Sequence, residues 1–95
     1  MKKNTSRSQK VYYVYILLCG DGSYYTGYTS NIGLRVRQHN EGSGARYTRM
    51  HRLGRLVYAE KFSSRREAMS RERKIKAMSH DQKNQLINSS RNLIM

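Results

Sequence analysis

An α/β (α+β) fold, with a small three-stranded antiparallel sheet flanked by helices in the order ββαβαα, is predicted by three observations. Val11 to Cys19 is β-branched, aromatic and apolar on both alternating faces, and the Gly20-Asp21-Gly22 turn returns the chain into Ser23 to Thr29, again rich in Tyr and Thr. Two helix-opening signatures, Ser64 to Glu67 and Ser79 to Gln82, stand in the second half. Ninety-five residues fit one domain, near the lower limit of what supports a core without staples.

The elements follow in order. A strand apolar on both faces cannot leave one side in water, so the first is central, or is covered by helices on one side and loop on the other. Ser30 or Asn31 caps a helix from Ile32 to Asn40, with Gly42 as its stop. Glu41 to Gly54 contains Gly42, Gly44 and Gly54 among basic side chains without periodicity, and reads as an exposed loop. Leu56 to Phe62 is a third strand, on which Glu60 is expected to face water. A helix then runs from the Ser64 cap to about Met78, and a short final helix ends at Ile87. Residues 1–10 are expected to be a disordered basic segment, 11–88 the domain, and 89–95 a frayed tail.

Nineteen Lys and Arg against six acidic residues give a net charge of +13. Such an excess repels itself in a compact state and calls for phosphate counter-charge, so the expected partner is a polyanion, with nucleic acid, DNA or RNA, the foremost. One cysteine excludes an internal disulfide, and Cys19 with His39, His51 and His80 lacks the clustered spacing of a zinc site. No apolar run approaches the roughly 20 residues of a membrane span, and Met1-Lys2-Lys3 does not lead into an apolar signal core. The expected location is cytoplasmic, away from membranes.

Six of the eight tyrosines fall between positions 12 and 28, where a core built only for packing would draw on Leu, Val and Phe. A buried phenol hydroxyl needs a partner, so these rings imply more than packing. In the first helix Arg35 and His39, four apart, lie beside the Ile32 and Val36 column at the lip of the core, while Arg37 points elsewhere. In the second long helix Ala68, Glu72 and Ile75 follow i, i+4, i+7, which sets a carboxylate inside an apolar stripe. Carboxylates are rarely buried there without a partner or a cation, so Glu72 is a candidate metal ligand or one half of an ion pair. Glu67 has a simpler part in the capping box.

These residues resemble the GIY-YIG nuclease superfamily, and within it the small single-domain bacterial proteins. Tyr13-Val14-Tyr15 is similar to the first half of the name motif and Tyr25-Thr26-Gly27 to the second, with Tyr13 in place of the first glycine and Thr26 at the second motif's middle position. Arg35 and His39 resemble the arginine and histidine of the following helix, Glu72 the metal-binding glutamate, and Gly44 to Arg49 the loop of the small members. The late asparagine of many members falls on either Asn84 or Asn88.

The resemblance implies a metal-dependent endonuclease that hydrolyses DNA phosphodiester bonds, structure-selective or weakly sequence-specific, in DNA repair or processing. It implies one divalent metal, Mg²⁺ or Mn²⁺, held by Glu72 with waters and substrate phosphate. Arg35 would brace the phosphate, and Tyr15, Tyr25 or His39 would take the proton of the attacking water. Gly27 would let the strand end approach the phosphate or the neighbouring helix. Arg37, Arg46, Tyr47, Thr48, Arg49, Arg52, Arg65 and Arg66 are the expected nucleic-acid contacts. The rival is a non-catalytic basic nucleic-acid-binding protein, in which the arginines grip phosphates and the tyrosines stack on bases. Phosphate contacts do not specify sequence, so targeting would come from substrate shape or a protein partner.

Overall fold

The computed structural model describes residues 10–40 and 54–94, without the side chains of residues 38–40. The elements are β1 (Tyr12–Leu18), β2 (Tyr24–Thr29), α1 (Ile32–Asn40), β3 (Arg55–Phe62), α2 (Arg65–Lys76) and α3 (His80–Ile87), in the expected order ββαβαα. Strand order is β2-β1-β3, and both pairings of β1 are antiparallel. The doubly apolar strand is therefore central: Val14, Tyr15, Ile16 and Leu17 are all buried.

The alternation of β1 builds two different faces. Val14 and Ile16 pack with Tyr58, Ala68, Ile75 and Leu86, so one face of the sheet lies on α2 and α3. Tyr15 and Leu17 point the other way, where Leu17 closes against the Gly54 backbone so tightly that a Cβ there would stand 2.8 Å from it. A bulge between Ile16 and Leu17 shifts the β1–β3 register from Ile16↔Tyr58 to Leu17↔Leu56.

Local chemistry fixes the ends. Gly22 takes φ +87° in the hairpin turn, a conformation that side chains resist, and the Asp21 carboxylate accepts from both Ser23 N–H and Ser23 Oγ. Asn31 caps α1 by accepting from Leu34 N at 3.0 Å. Ser64 accepts from Glu67 N, and Ser79 forms a full capping box with Gln82. α2 stops at Lys76 rather than near Met78: Ala77 is its C-cap, and the Met78 N–H closes a tighter i→i−3 bond on the Ile75 carbonyl at 3.0 Å.

Two expectations on β3 are corrected. Glu60 does not face water: it accepts from Tyr58 Oη at 2.6 Å and from Arg71 Nε at 3.0 Å, with Arg91 Nη1 at 3.6 Å. Burial and the bond to Glu60 push the Tyr58 phenol up to about 12. Of the expected frayed tail, residues 89–94 are tied down. Asn92 is buried, accepts from Ala59 N at 3.2 Å and donates to the Val57 and Ile87 carbonyls at 2.8 Å each, while Leu93 N donates to Ala59 O. Sequence reasoning missed this because the tail carries no periodicity; its anchor is one amide that finds unpaired backbone on an edge strand. The expected segment 1–10, apart from Lys10, and the loop 41–53 lie outside the described residues.

Asn92→Ala should lower unfolding stability by about 1–3 kcal/mol, because it orphans buried backbone groups. Asn88→Ala, at an exposed position, should cost less than about 0.5 kcal/mol. Chemical denaturation of the two variants beside the native chain checks the difference.

Candidate functional site

A cavity of about 470 Å³ opens at β2, the sheet's edge strand, and Tyr15, Tyr25, Gly27, Arg35 and Glu72 all line it. They come from β1, β2, α1 and α2, so no local stretch of chain could have made it. The register explains how the two motifs meet. Tyr15 pairs across the ladder with Gly27, and Leu17 with Tyr25, so both phenols lie on the same sheet face. Their ring centroids are 6.3 Å apart at a 41° tilt.

Gly27 has a steric reason to be glycine. A Cβ at that position would stand 2.6 Å from Tyr15 Oη and 2.8 Å from Cζ. The group that approaches Gly27 is thus the phenol of Tyr15, rather than a helix. Its ring is buried, and its hydroxyl lies over the missing side chain beside the cavity.

Burial raises the Tyr15 phenol far above the ordinary tyrosine range; the neighbouring Tyr25 adds to this, Arg35 opposes it, and Glu72 adds to it again. Burial also raises Tyr25, with Arg35 opposing and Glu72 assisting. Both therefore carry their protons at neutral pH. Those same influences show that the two phenols, the guanidinium and the carboxylate share one electrostatic neighbourhood. Glu72 stands beside buried Ala68 and Ile75 with a side chain 17% exposed, and among the described residues its carboxylate pairs with Lys76 Nζ at 3.5 Å. That pair is at the rim, since Lys76 is largely exposed. Among the described residues no group of three His, Cys, Asp or Glu stands together, so the cavity's acidic donor is Glu72 by itself.

The remaining expected residues divide. Val14 belongs to the helix-side core, and Thr26 is buried on the same face with Oγ1 unpartnered; Tyr13 is half-buried and does not line the cavity. Arg37 and Arg66 are exposed, and Arg65 lines the cavity with Nε donating to Tyr28 Oη at 3.4 Å. His39 lies on α1, but its side chain is outside the described residues, as are Arg46, Tyr47, Thr48, Arg49 and Arg52. Neither late asparagine lines the cavity: Asn84 Oδ1 accepts from Tyr24 Oη, and Asn88 ends α3.

Sequence reasoning missed Lys10, Tyr12, Tyr28, Thr29 and Ser30, which also line the cavity. Tyr28 alternates against Gly27 and Tyr25, so by strand period it belongs to the opposite face. It reaches the cavity because β2 is an edge, around which both faces are accessible. Nothing in the local sequence marks Lys10.

Comparison with known proteins bears on the fold and its relatives. A family profile described as the GIY-YIG catalytic domain matches residues 11–85. A UPF0213 protein of Staphylococcus haemolyticus is 53% identical over 76 residues, covering 80% of this chain and 93% of the relative. One from Halobacterium salinarum is 47% identical over 76 residues, covering 80% and 99%, so the likeness extends from bacteria to archaea. The solution structure of a UPF0213 protein from Bacillus halodurans superposes with a TM-score of 0.56 at 43% identity, covering 88% of this chain and 89% of that one.

Gly27→Ala should drive the Tyr15 phenol out of place and cost about 1–3 kcal/mol, the range for overpacking a filled site, as thermal or chemical unfolding would read. An alkaline titration tests the buried phenols. Tyr15, Tyr25 and Tyr58 keep their protons in the folded chain past about pH 10, where the unfolded chain loses them, so the unfolded state then binds fewer protons. Their contribution to stability is complete below about pH 10 and falls as pH rises above it. Tyrosinate absorbance should show late-titrating phenols that appear together with unfolding, one fewer in Tyr15→Phe.

Proposed function

The chain belongs to the GIY-YIG catalytic-domain family, and from that premise we propose that it is an endonuclease hydrolysing phosphodiester bonds of DNA with one divalent metal. The observation that carries this reading is the single cavity in which Tyr15, Tyr25, Arg35 and Glu72 converge from four elements. A pure phosphate-gripping surface gains nothing from a carboxylate among its cations, whereas a metal site requires one.

The donor set fits Mg²⁺ or Mn²⁺. One carboxylate with an open, polar surround suits a hard cation that keeps most of its waters and takes phosphate oxygens as further ligands; it does not suit zinc, which takes three or four protein donors. When bound at Glu72, the ion would supply charge neutralisation at the phosphoryl oxygens.

The chain's own groups have separate parts. Arg35 presents a planar fork of donors to the non-bridging oxygens, where negative charge grows during displacement. Tyr15 and Tyr25 hold the attacking water through their hydroxyls. Arg35 beside them favours the phenolate, and it is the deprotonated fraction of one of them, its own proton already lost to solvent, that accepts the water's proton as the water oxygen bonds to phosphorus and the leaving oxygen departs. Gly27 keeps the path of the Tyr15 hydroxyl open. Recognition on this reading is of backbone and shape, so branched, flapped or nicked duplexes are the substrates to try, in repair or processing, with a protein partner supplying any further targeting.

Glu72→Gln should abolish Mg²⁺- or Mn²⁺-dependent cleavage while leaving DNA binding close to native. Tyr15→Phe, Tyr25→Phe and Arg35→Ala should each lower turnover by roughly 10²-fold, the range for positioned proton-transfer and charge-stabilising groups. A panel of supercoiled, branched, single-stranded and RNA substrates reads both effects. Native cleavage by Glu72→Gln would sink the metal assignment. With a phenol as base, the rate should climb from about pH 7 to pH 9 without levelling, because both phenols start protonated; a plateau above about pH 7 would move the role to His39.

A further inference from the structure

A second hollow, of about 350 Å³, lies on α2 and is lined by Arg65, Arg66, Met69 and Arg73. Arg65 lines the Glu72 cavity as well, so the two hollows share a wall. Helical spacing accounts for this continuity. Arg65, Met69 and Arg73 stand at i, i+4 and i+8, on the column next to the Ala68 and Glu72 column that borders the cavity. The bond from Arg65 Nε to Tyr28 Oη holds one guanidinium at the junction. Arg66 and Arg73 are exposed, and the ion pairs α2 makes among the described residues run through Arg71 and Lys76. The groove is therefore cationic along its length.

Its dimensions suit a phosphate backbone. Eight residues separate Arg65 from Arg73, about 12 Å along the helix at 1.5 Å per residue, which spans about three to four phosphates of one duplex strand at 3.4 Å each along the axis. Its chemistry favours a duplex over a single strand. Grooves for single strands interleave aromatic rings on which bases stack, and the described residues lining this one offer three guanidiniums and a thioether. The rings are in the neighbouring cavity instead.

We propose that the Arg65–Arg66–Met69–Arg73 groove seats the phosphate backbone of duplex DNA and leads it to the cavity at Glu72. This rests on the nucleic-acid reading of the cavity and adds to it the surface that holds the flanking duplex. Met69 contributes a greasy floor against the sugar edges, and the arginines fix the position of the strand without reading its sequence.

The test uses the full chain with a labelled linear duplex and a single strand of the same length, titrated across a salt series. Arg66→Gln with Arg73→Gln should reduce the slope of log K against log salt by about 2, at roughly 0.9 per phosphate contact on duplex DNA. Lys61→Gln with Lys74→Gln removes the same charge from positions that line neither hollow, and should change the slope much less. Equal flattening by both pairs, or none by the groove pair, overturns the proposal in favour of diffuse charge. A loss as large on the single strand as on the duplex overturns the choice of occupant. On cleavable duplex, the groove pair should raise KM and leave kcat within about twofold; a fall in kcat alone overturns the docking role. The two readings fail separately. A native chain that never cuts yet shows the groove-dependent slope keeps the groove and loses the nuclease, whereas Glu72-dependent cutting with no groove effect does the reverse.

Discussion

The burial of β1 on both faces is the constraint on which the rest depends. Because Val14 and Ile16 face the helices while Tyr15 and Leu17 face away, neither side can be left to water, and the structure meets this with β1 as the middle of three strands. That leaves β2 as an edge. An edge in this position is where a cavity can form, since residues from both sheet faces can converge around it. The contact between Tyr15 and Gly27 links packing to the cavity: a buried ring can lay its hydroxyl beside the cavity because the opposing residue has no side chain.

Electrostatics at that rim are balanced between opposing tendencies. Burial and Glu72 keep the phenols protonated, while Arg35 pulls toward the phenolate. Glu72 sits at the border of the apolar stripe, with Lys76 near its carboxylate but out in solvent. An exposed pair of this kind contributes little to stability, so the position of Glu72 is not explained by that ion pair. A carboxylate held beside a cavity and weakly committed to its neighbour is suited to exchange that neighbour for a cation.

The far edge of the sheet is managed differently. β3 is covered by the buried Asn92 amide and by the Leu93 backbone, and Glu60 gathers Tyr58, Arg71 and Arg91 beside it. Unpaired strand edges invite association with other chains, and here the Ala59 N–H and the Val57 and Ala59 carbonyls are satisfied within the chain. The molecule thus closes one edge and leaves the other for its site.

Much of this was legible in the residues. The doubly apolar run of β1, the Gly20-Asp21-Gly22 turn, the Ser64 and Ser79 caps and the Ala68–Glu72–Ile75 spacing are local signals, because strand period, turn conformation and capping are decided within a few residues. They determined the element order, the burial of the first strand on both faces and the identity of the odd carboxylate. What only the tertiary structure decided depends on partners far apart in sequence. The register that sets Tyr15 over Gly27, the joining of Lys10, Tyr12, Tyr28 and Arg65 to one cavity, the turning of Glu60 away from water and the anchoring of the tail by Asn92 all arise where a side chain meets backbone or charge from another element. Periodicity states which face a residue occupies; it does not state what waits opposite that face, and at an edge strand even the face ceases to separate the two sides.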